Sequence, residues 1–294
     1  KMMKHLPALR TLPKGDPALL GGKMAGLFDI RRQQWRHIAY RTKVRQDEKV
    51  LAREMVSDLA PGALVLADLG YFGFEWFDYL TNLGHFWVSR LREKTSYEVI
   101  HCYYQQETTF DALIWLGKYR ADRAGHAVRL VRFVVNGTLH QYITNVIDPK
   151  QLSLYDIAYL YHRRWDLELA FKLLKRELNL HLLWSSKPAV IEQQLWAALI
   201  VAQIVHGLQV EIAGRACVDP FEVSIALLVQ YLPRLAKQGK DPIAFFVERG
   251  RHAHFIRPSN RTKIVAPTIL PDDIAPLPPN TPLLRNSRYA HRHC

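Results

Sequence analysis

The sequence predicts a mixed α/β fold with a β-rich insertion and C-terminal helices, on three observations. A continuous apolar run, typical of a fully buried strand, is followed by a helical pattern and then by a second apolar strand pattern. Two β-branched and aromatic segments flank an Asn-Gly pair, which is a strong hairpin signal. Long helical patterns follow, and strands that alternate with helices indicate an α/β core. The first strand, helix and second strand are residues 63–67, 74–82 and 85–91. The hairpin segments are residues 128–135 and 141–147, on either side of Asn136-Gly137. The long helical patterns are residues 153–178, 188–213 and 220–235.

Shorter elements precede this core. Two short strands are predicted over residues 23–30 and 35–40. Apolar positions at helical spacing predict a helix over residues 47–59, which Pro61-Gly62 ends. Two further segments, residues 97–104 and 112–116, fit the same antiparallel pattern as the hairpin and extend the predicted β-rich insertion.

The C-terminal part begins with the long helix, whose start near Ser153 carries Asp156 in a capping-box-like position. After Arg257 the composition changes, because seven of the 16 prolines lie between residues 258 and 282 among several basic residues. Such a segment is predicted to be extended or disordered. The predicted organisation is residues 1–94 as the N-terminal part of the core, 95–150 as the insertion, 151–215 as the remainder of the core, 216–256 as a helical region and 257–294 as a Pro-rich basic tail.

Composition places the chain among ordinary globular proteins, with an unusual charge. Of its 294 residues, 49% are hydrophobic and 23% are charged, which excludes a disordered, collagen-like or disulfide-stapled chain. The formal net charge of +13 is typical either of a chain with a polyanionic partner or of a merely basic soluble protein. Three widely spaced cysteines, Cys102, Cys217 and Cys294, indicate a reducing compartment.

Neither a membrane span nor a secretory signal is predicted. The longest uncharged apolar stretch, residues 195–210, contains Gln203, His206 and Gln209 and is shorter than a span requires. We therefore expect a buried helix there. The basic residues at the start of the chain are not followed by an apolar segment, which argues against a secretory signal.

The long helix carries the most informative side chains. At 100° per residue, five polar side chains fall within an arc of about 80°, which predicts a ridge with one carboxylate among cations. These residues are Tyr161, Arg164, Glu168, Lys172 and Lys175. A separate stripe is expected to face the core, and it consists of Leu160, Leu167, Phe171, Leu174 and Leu178. The alternative interpretation of the ridge is a solvated face of salt bridges.

The spacing Tyr161-x2-Arg164-x3-Glu168-x6-Lys175 resembles the signature of bacterial insertion-sequence transposases of the IS-four group. These are DDE enzymes on a ribonuclease-H-like fold. The segment Ala67-Asp68-Leu69-Gly70-Tyr71-Phe72 is similar to the region around the family's second acidic residue. The β-rich insertion also matches the family layout, so the resemblance covers about residues 20–215 and implies a ribonuclease-H-like mixed sheet core.

The resemblance implies a metal-dependent DNA transposase that cleaves transposon ends and transfers strands. Asp68 and Glu168 would be the catalytic ligands of Mg²⁺ or Mn²⁺, since carboxylate oxygens suit these ions. Two such ions could activate a nucleophile and stabilise the leaving oxygen. The implied DNA-binding residues are Tyr161, Arg164, Lys172 and Lys175. The implied partners are transposon ends, target DNA and a second copy in the synaptic complex, with no membrane partner, in the bacterial cytoplasm at the nucleoid.

The sequence departs from the family pattern in two places. Leu69 stands where family members usually have Arg. The family's first acidic residue lies in an Asp-Gly-Thr-like strand upstream of the segment matched by Gly21-Gly22-Lys23-Met24, and no Asp-x-Ser/Thr occurs there. Asp29 lies on the next strand and is a poor substitute for the family's first acidic residue. We therefore expect a chain that begins after the first catalytic strand, with weaker metal binding and turnover.

Two other functions remain open. One is a catalytically inactive DNA-binding remnant or inhibitor that lacks the first catalytic Asp, and the other is a different metal-dependent nuclease on the same fold. The histidines near the C-terminus, with Cys294, fit no zinc spacing. Trp115, Trp184 and Trp196 could stack on bases, although buried packing is the preferred interpretation.

Overall fold

The computed structural model describes residues 23–41, 48–120, 122–180, 182–185, 187–259, 263–287 and 289. These residues form two compact units. The first comprises the described residues within Lys1–Val56 and Trp165–Lys263, and the second comprises those within Ser57–Arg164 and Ile264–Cys294. The motif segment Gly21-Gly22, the predicted helix start at Asp47, and the terminal His291, His293 and Cys294 lie outside the described residues.

The described residues form eight strands and seven α-helices, and the sequence predicted most of them. The strands are β1 (Lys23–Asp29), β2 (Gln34–Arg41), β3 (Leu64–Ala67), β4 (Phe86–Arg90), β5 (Tyr97–Gln106), β6 (Thr109–Leu116), β7 (Val128–Val135) and β8 (Thr138–Thr144). The helices are α1 (Glu48–Val56), α2 (Phe74–Asn82), α3 (Leu154–Arg163), α4 (Trp165–Lys172), α5 (Pro188–Ala216), α6 (Ile225–Lys237) and α7 (Pro242–Arg249). Helix α7 lies in the predicted helical region 216–256, although the sequence did not predict its bounds.

The second unit is built on a six-stranded mixed sheet in the order β3-β4-β8-β7-β6-β5. Only the β3–β4 pair is parallel, and its register places Ala67 opposite Ser89. The predicted hairpin joins β7 and β8, and both turn residues have positive φ, 50° for Asn136 and 73° for Gly137. The two-residue turn makes β8 begin at Thr138, earlier than predicted. The strands of the predicted insertion therefore extend the same sheet as β3 and β4.

Helices cover both faces of this sheet next to β4. On one face, the Phe77 ring of α2 stacks on Trp87 at 4.2 Å between ring centroids. On the other, Ile157 and Tyr161 of α3 pack with Val88 in a buried cluster. Successive side chains of a strand point to opposite faces of the sheet, so Trp87 packs against α2 and its neighbour Val88 packs against α3. This layered arrangement confirms the predicted mixed α/β class.

A buried ion pair fixes the start of α3. The Arg129 guanidinium donates to both oxygens of Asp111, at 2.7 and 2.5 Å, and both side chains are fully buried. A further donor of Arg129 reaches the carbonyl of Leu152, immediately before the helix. Ser153 then caps α3 in a complete capping box with Asp156, as predicted.

The basic tail is extended and is held against the second unit. The backbone N–H of Ala275 donates to the Tyr103 carbonyl, and that of Ala127 donates to Leu283. The Arg285 guanidinium lies 4.7 Å from the ring centroid of Trp115 and donates to the carbonyls of Ala124 and Leu116. The disordered alternative is therefore wrong for residues 263–287, because backbone and arginine hydrogen bonds hold this segment in place.

The first unit combines the β1–β2 hairpin with a helical core. The hairpin packs Ala25 and Ala39 against Leu51 and Met55 of α1. Helix α5 contributes one face to the larger core, in which Leu195 is fully buried. The helix predicted over residues 188–213 is confirmed, and α5 extends three residues further, to Ala216. By length and mean hydropathy alone, α5 could cross a membrane, although 44% of its most apolar window is buried within the protein.

Candidate active site

Asp68 lies directly after β3, at the carboxyl edge of the parallel pair. The apolar strand fixes its backbone, and its side chain accepts a 2.9 Å hydrogen bond from the Leu69 N–H, which caps a short 3-10 turn over Leu69–Tyr71. The side chain remains 35% exposed. Asp68 is therefore both a turn cap and a carboxylate that solvent or a ligand can reach.

Arg164 follows α3 and faces Asp68. Its Nη1 lies 3.7 Å from Oδ1 of Asp68, and its guanidinium carbon lies 5.6 Å from the ring centroid of Tyr161. The Arg164 side chain is only 14% exposed, so solvent screens the pair less than it would screen two surface charges. The second unit thus brings together three of the predicted site residues, Asp68, Tyr161 and Arg164.

Tyr161 is buried, which differs from the predicted exposed ridge. Its ring packs 5.0 Å from Tyr142, and its hydroxyl has no hydrogen-bond partner among the described residues. Burial raises the pKa of Tyr161 to about 12, while the positive charge of Arg164 acts in the opposite direction. The Tyr161 ring is therefore part of the hydrophobic core, and the Arg164 guanidinium packs over it.

Sequence reasoning missed two cations beside Asp68. The β3–β4 register places Arg90 next to Asp68, because Ala67 pairs with Ser89 and the strands are parallel. Arg92 follows, and its Nη2 reaches the carbonyl of Leu69 at 3.4 Å. The signal was available, since carboxyl ends of adjacent parallel strands share one sheet edge. Arg90 and Arg92 are both exposed.

Glu168 lies in the first unit, in the first turn of α4. Its side chain is half-buried, that of Lys172 is exposed and that of Lys175 is partly buried. The buried carboxylate of neighbouring Asp166 accepts a 3.1 Å hydrogen bond from Nε2 of Gln33, in the turn between β1 and β2. That contact anchors the start of α4, and sequence reasoning did not foresee it.

The predicted continuous helix over residues 153–178 is interrupted twice. The Arg164 N–H bonds to the Tyr161 carbonyl, a tightened turn between α3 and α4. A π-helical turn occupies Leu173–Glu177, where the Leu178 N–H bonds to the Leu173 carbonyl. Because each interruption changes the angle per residue, the 100° rule does not hold across the whole segment.

The donor chemistry of the two predicted metal ligands suits hard divalent cations, because both are carboxylates. They belong to different units, Asp68 to the second and Glu168 to the first. Within the described ranges, no group of three or more His, Cys, Asp or Glu side chains is arranged to hold a metal ion. The Oδ1 of Asp29 accepts a 2.9 Å hydrogen bond from the Arg32 N–H, which closes the β1–β2 turn.

The three tryptophans considered for base stacking have different environments. Trp115 is buried and lies beneath Arg285. Trp184 and Trp196 are exposed, so the expectation of buried packing is wrong for both. Trp184 lies before α5, and its backbone N–H donates a 3.1 Å hydrogen bond to Oε1 of Gln194.

Comparison with known proteins decides the family. The profile of the transposase DDE domain matches residues 20–204, more than half of the chain. The chain belongs to the DDE transposase family. It is also 24% identical over 216 residues to the transposase InsG for insertion sequence element IS4 from Escherichia coli (strain K12). That alignment covers 69% of this chain and 48% of the relative, so the chain spans about half the length of the curated relative that it matches.

These matches confirm the resemblance to insertion-sequence transposases. The DDE match extends from the described hairpin of the first unit through the six-stranded sheet to α4 and much of α5. Asp68 and Glu168 both lie within it. DDE transposases generally use divalent metal ions, which agrees with the carboxylate chemistry of these two residues.

Proposed function

We propose that this DDE transposase domain acts in metal-dependent cleavage of DNA at transposon ends and in strand transfer into target DNA. The observation that carries the proposal is the position of Asp68 at the carboxyl edge of β3, where a reachable carboxylate lies beside Arg164 and Arg90. Carboxylates at strand ends are suited to divalent metals, and neighbouring cations are suited to phosphates. Family membership supports the same reaction.

Asp68 and Glu168 are the residues that we assign to metal binding, with Mg²⁺ or Mn²⁺ as the ion. When bound, such ions assist an in-line phosphodiester displacement by activating the attacking oxygen and stabilising the leaving one. The 3-10 turn after β3 holds the Asp68 carboxylate in position through its hydrogen bond to Leu69. Glu168 is held by a helix whose start is anchored through Asp166 and Gln33.

The basic side chains are assigned to the DNA backbone. Arg164, Lys172 and Lys175 are the predicted contacts, and the structure adds Arg90 and Arg92. Such contacts fix the position of the duplex and carry little sequence information. We assign Tyr161 a supporting role beneath Arg164, because its ring is buried.

Two transposon ends must be processed together, so we propose that the protein acts as a homodimer in a synaptic complex. Its substrates would be the ends of its own element and target DNA, which places the reaction on the bacterial chromosome in the cytoplasm. A catalytically inactive remnant is not favoured by the family and transposase matches.

The test is cleavage of a labelled transposon-end duplex in Mg²⁺ or Mn²⁺. The chain is compared with an extended protein in which the family's Asp-Gly-Thr-like strand is supplied upstream, and the variants Glu168→Gln and Glu248→Gln are made in the extended protein. Glu248→Gln is the matched control, since Glu248 is an exposed carboxylate on α7. We expect the extended protein to cut and join DNA, Glu168→Gln to abolish both, and Glu248→Gln to leave them unchanged.

Other outcomes would each reject part of the proposal. Binding without cleavage by the extended protein would favour the inactive remnant. Nicking without joining would favour a nuclease on the same fold. Cleavage that survives Glu168→Gln would remove Glu168 from the reaction.

A further inference from the structure

His140 of β8 is a titratable residue in the second unit to which the proposed reaction gives no role. The β4–β8 register pairs Arg90 with Tyr142. Side chains two residues apart on a strand share one face, so His140 lies on the same face of the sheet as Tyr142 and Arg90. It lies beyond the last residue of β4, at the edge where Asp68 follows β3. Two strand spacings, about 10 Å, separate β3 from β8, which is about three nucleotides of a DNA strand.

The His140 ring is anchored through one of its two nitrogens. The imidazole stacks on the Phe133 ring, with 5.1 Å between the centroids and 15° between the planes. Its Nδ1 lies 3.3 Å from the Tyr142 hydroxyl, and within the described residues no hydrogen bond engages its Nε2. The hydroxyl can donate to Nδ1 of the neutral ring or accept from Nδ1–H of the charged ring. His140 can therefore take up a proton without losing this contact, and its Nε2–H can donate to a ligand.

The nearest charge to influence His140 is positive. Burial, and after it the positive charge of Arg90, lowers the pKa of His140 below the ordinary 6.5. Tyr142 and Tyr161 stay neutral, because burial raises the pKa of both hydroxyls. The free protein therefore holds a neutral imidazole beside the Arg90 guanidinium.

The other groups on this face do not compensate the charge of Arg90. The Asp68 carboxylate lies 3.7 Å from Nη1 of Arg164, which takes up its charge. Arg132 of β7 pairs with Gln141 and so lies on the opposite face, with its guanidinium over the Phe110 ring. The tail adds only apolar side chains to this cluster, namely Ile264, Ala266 and Ile269. An anion that reaches Arg90 would therefore also remove the repulsion that keeps His140 neutral.

We propose that His140 is a further DNA contact at the edge that carries Asp68, where its imidazolium binds a backbone phosphate beside Arg90. The inference rests on the proposed function, which supplies DNA as the partner. The contact itself requires no metal and no chemical step, because a phosphate accepts the Nε2–H bond in the ground state. Failure of DNA cleavage and failure of this contact are therefore separable.

A contact of this kind makes DNA binding take up a proton. The phosphate offsets the charge of Arg90 and accepts from the imidazolium, so the pKa of His140 is higher in the complex than in the free protein. Binding then strengthens as the pH falls through the range between these two pKa values. The gain is absent well above the pKa of the complex and is complete below that of the free protein.

The test is the affinity of the full chain for a fluorescently labelled DNA duplex at pH 6.0 and pH 8.0, measured by anisotropy at constant ionic strength without divalent metal. His140→Gln keeps an amide that can bond to Tyr142 but cannot become charged. We expect it to weaken binding about tenfold at pH 6.0 and less than about twofold at pH 8.0. His140→Lys, a permanent cation, should bind more tightly than the unmodified chain at pH 8.0.

His101→Gln is the matched control. His101 belongs to β5, the outermost strand on the far side of the sheet from β3, and its Nε2 lies 3.3 Å from the Ala275 carbonyl. The control should leave the affinity unchanged at both pH values, and circular dichroism should show that all variants are folded. Unchanged binding by His140→Gln at pH 6.0, or an equal loss in His101→Gln, would overturn the proposal.

A second measurement follows the ring itself. Nuclear magnetic resonance of the chain with labelled histidine rings, with His140→Gln to assign the signal, gives the pKa of His140 with and without the duplex. This pKa should rise when DNA binds, and a pKa that stays the same or falls would reject the contact. A chain that shows these effects but does not cut DNA would retain the contact and reject the proposed catalysis. A chain that binds no DNA at either pH would overturn both.

Discussion

Asp68 combines two features that sequence reasoning treats as alternatives, a capping side chain and an exposed carboxylate. Its Oδ1 accepts from the Leu69 N–H and lies 3.7 Å from Nη1 of Arg164. The capping bond fixes the direction of the side chain, and the exposed fraction leaves room for a ligand. Residues with a chemical role benefit from such local hydrogen bonds, because a held carboxylate loses less entropy on binding.

His206 is a buried titratable residue that the proposed reaction does not use. Its Nδ1 lies 3.3 Å from Oε1 of Gln209, its ring packs 5.5 Å from Phe28, and burial lowers its pKa below the ordinary 6.5. As the pH falls below that ordinary value, the unfolded chain takes up a proton that the folded chain resists. This contribution to stability is therefore fully present above about pH 6.5 and is lost toward lower pH.

We expect the free energy of unfolding to fall more between pH 7.5 and pH 5.5 for the unmodified chain than for His206→Gln, which lacks the titrating ring. Urea unfolding at the two pH values measures the loss of unfolding free energy in each protein. Equal losses in the two proteins would show that other groups cause the acid sensitivity.

Among the elements, the segment over residues 153–178 shows where a periodic pattern misleads. Its apolar pattern correctly predicted helical structure over most of the segment. However, the interruptions at Arg164 and Leu173–Glu177 break the regular 100° rotation on which the predicted ridge depended. A tightened turn and a π-helical turn each alter only one or two backbone hydrogen bonds, so the composition of the segment carries little trace of them.

The ion pair between β6 and β7 is expected to be a strong determinant of stability in the second unit. Asp111→Asn would leave Arg129 buried without a compensating charge, which costs about 3–5 kcal/mol. Asp122→Asn is the matched control, because Asp122 pairs with Arg120 on the surface, where both side chains are more than half exposed. We expect the control to cost at most about 1 kcal/mol. Denaturant unfolding measures both changes, and similar costs would contradict the prediction.

For the whole molecule, the net charge of +13 predicts DNA binding that weakens as salt rises. Each phosphate contact adds about 0.9 to the slope of log affinity against log salt concentration. Lys172 is exposed on α4, so Lys172→Gln should weaken binding and reduce that slope by about 1. Fluorescence anisotropy over a salt series measures the slope.

Lys240→Gln is the control for this measurement, since Lys240 is an exposed cation between α6 and α7. It changes the net charge by the same amount and should leave the slope unaltered. If the two variants behave alike, Lys172 contributes only through the overall charge and does not contact a phosphate.

The sequence by itself determined the α/β class, most of the strands and helices, the hairpin at Asn136-Gly137 and the transposase family. These depend on local periodicity, turn chemistry and motif spacing, which involve residues that are close together in the sequence. Tertiary structure alone decided the burial of Tyr161, the contact of Arg92 with the Leu69 carbonyl and the exposure of one apolar face of α5. It also decided that the tail is held by Arg285 and not disordered. Each of these depends on residues that are distant in sequence and meet only when strands pair and helices pack, which no local pattern records.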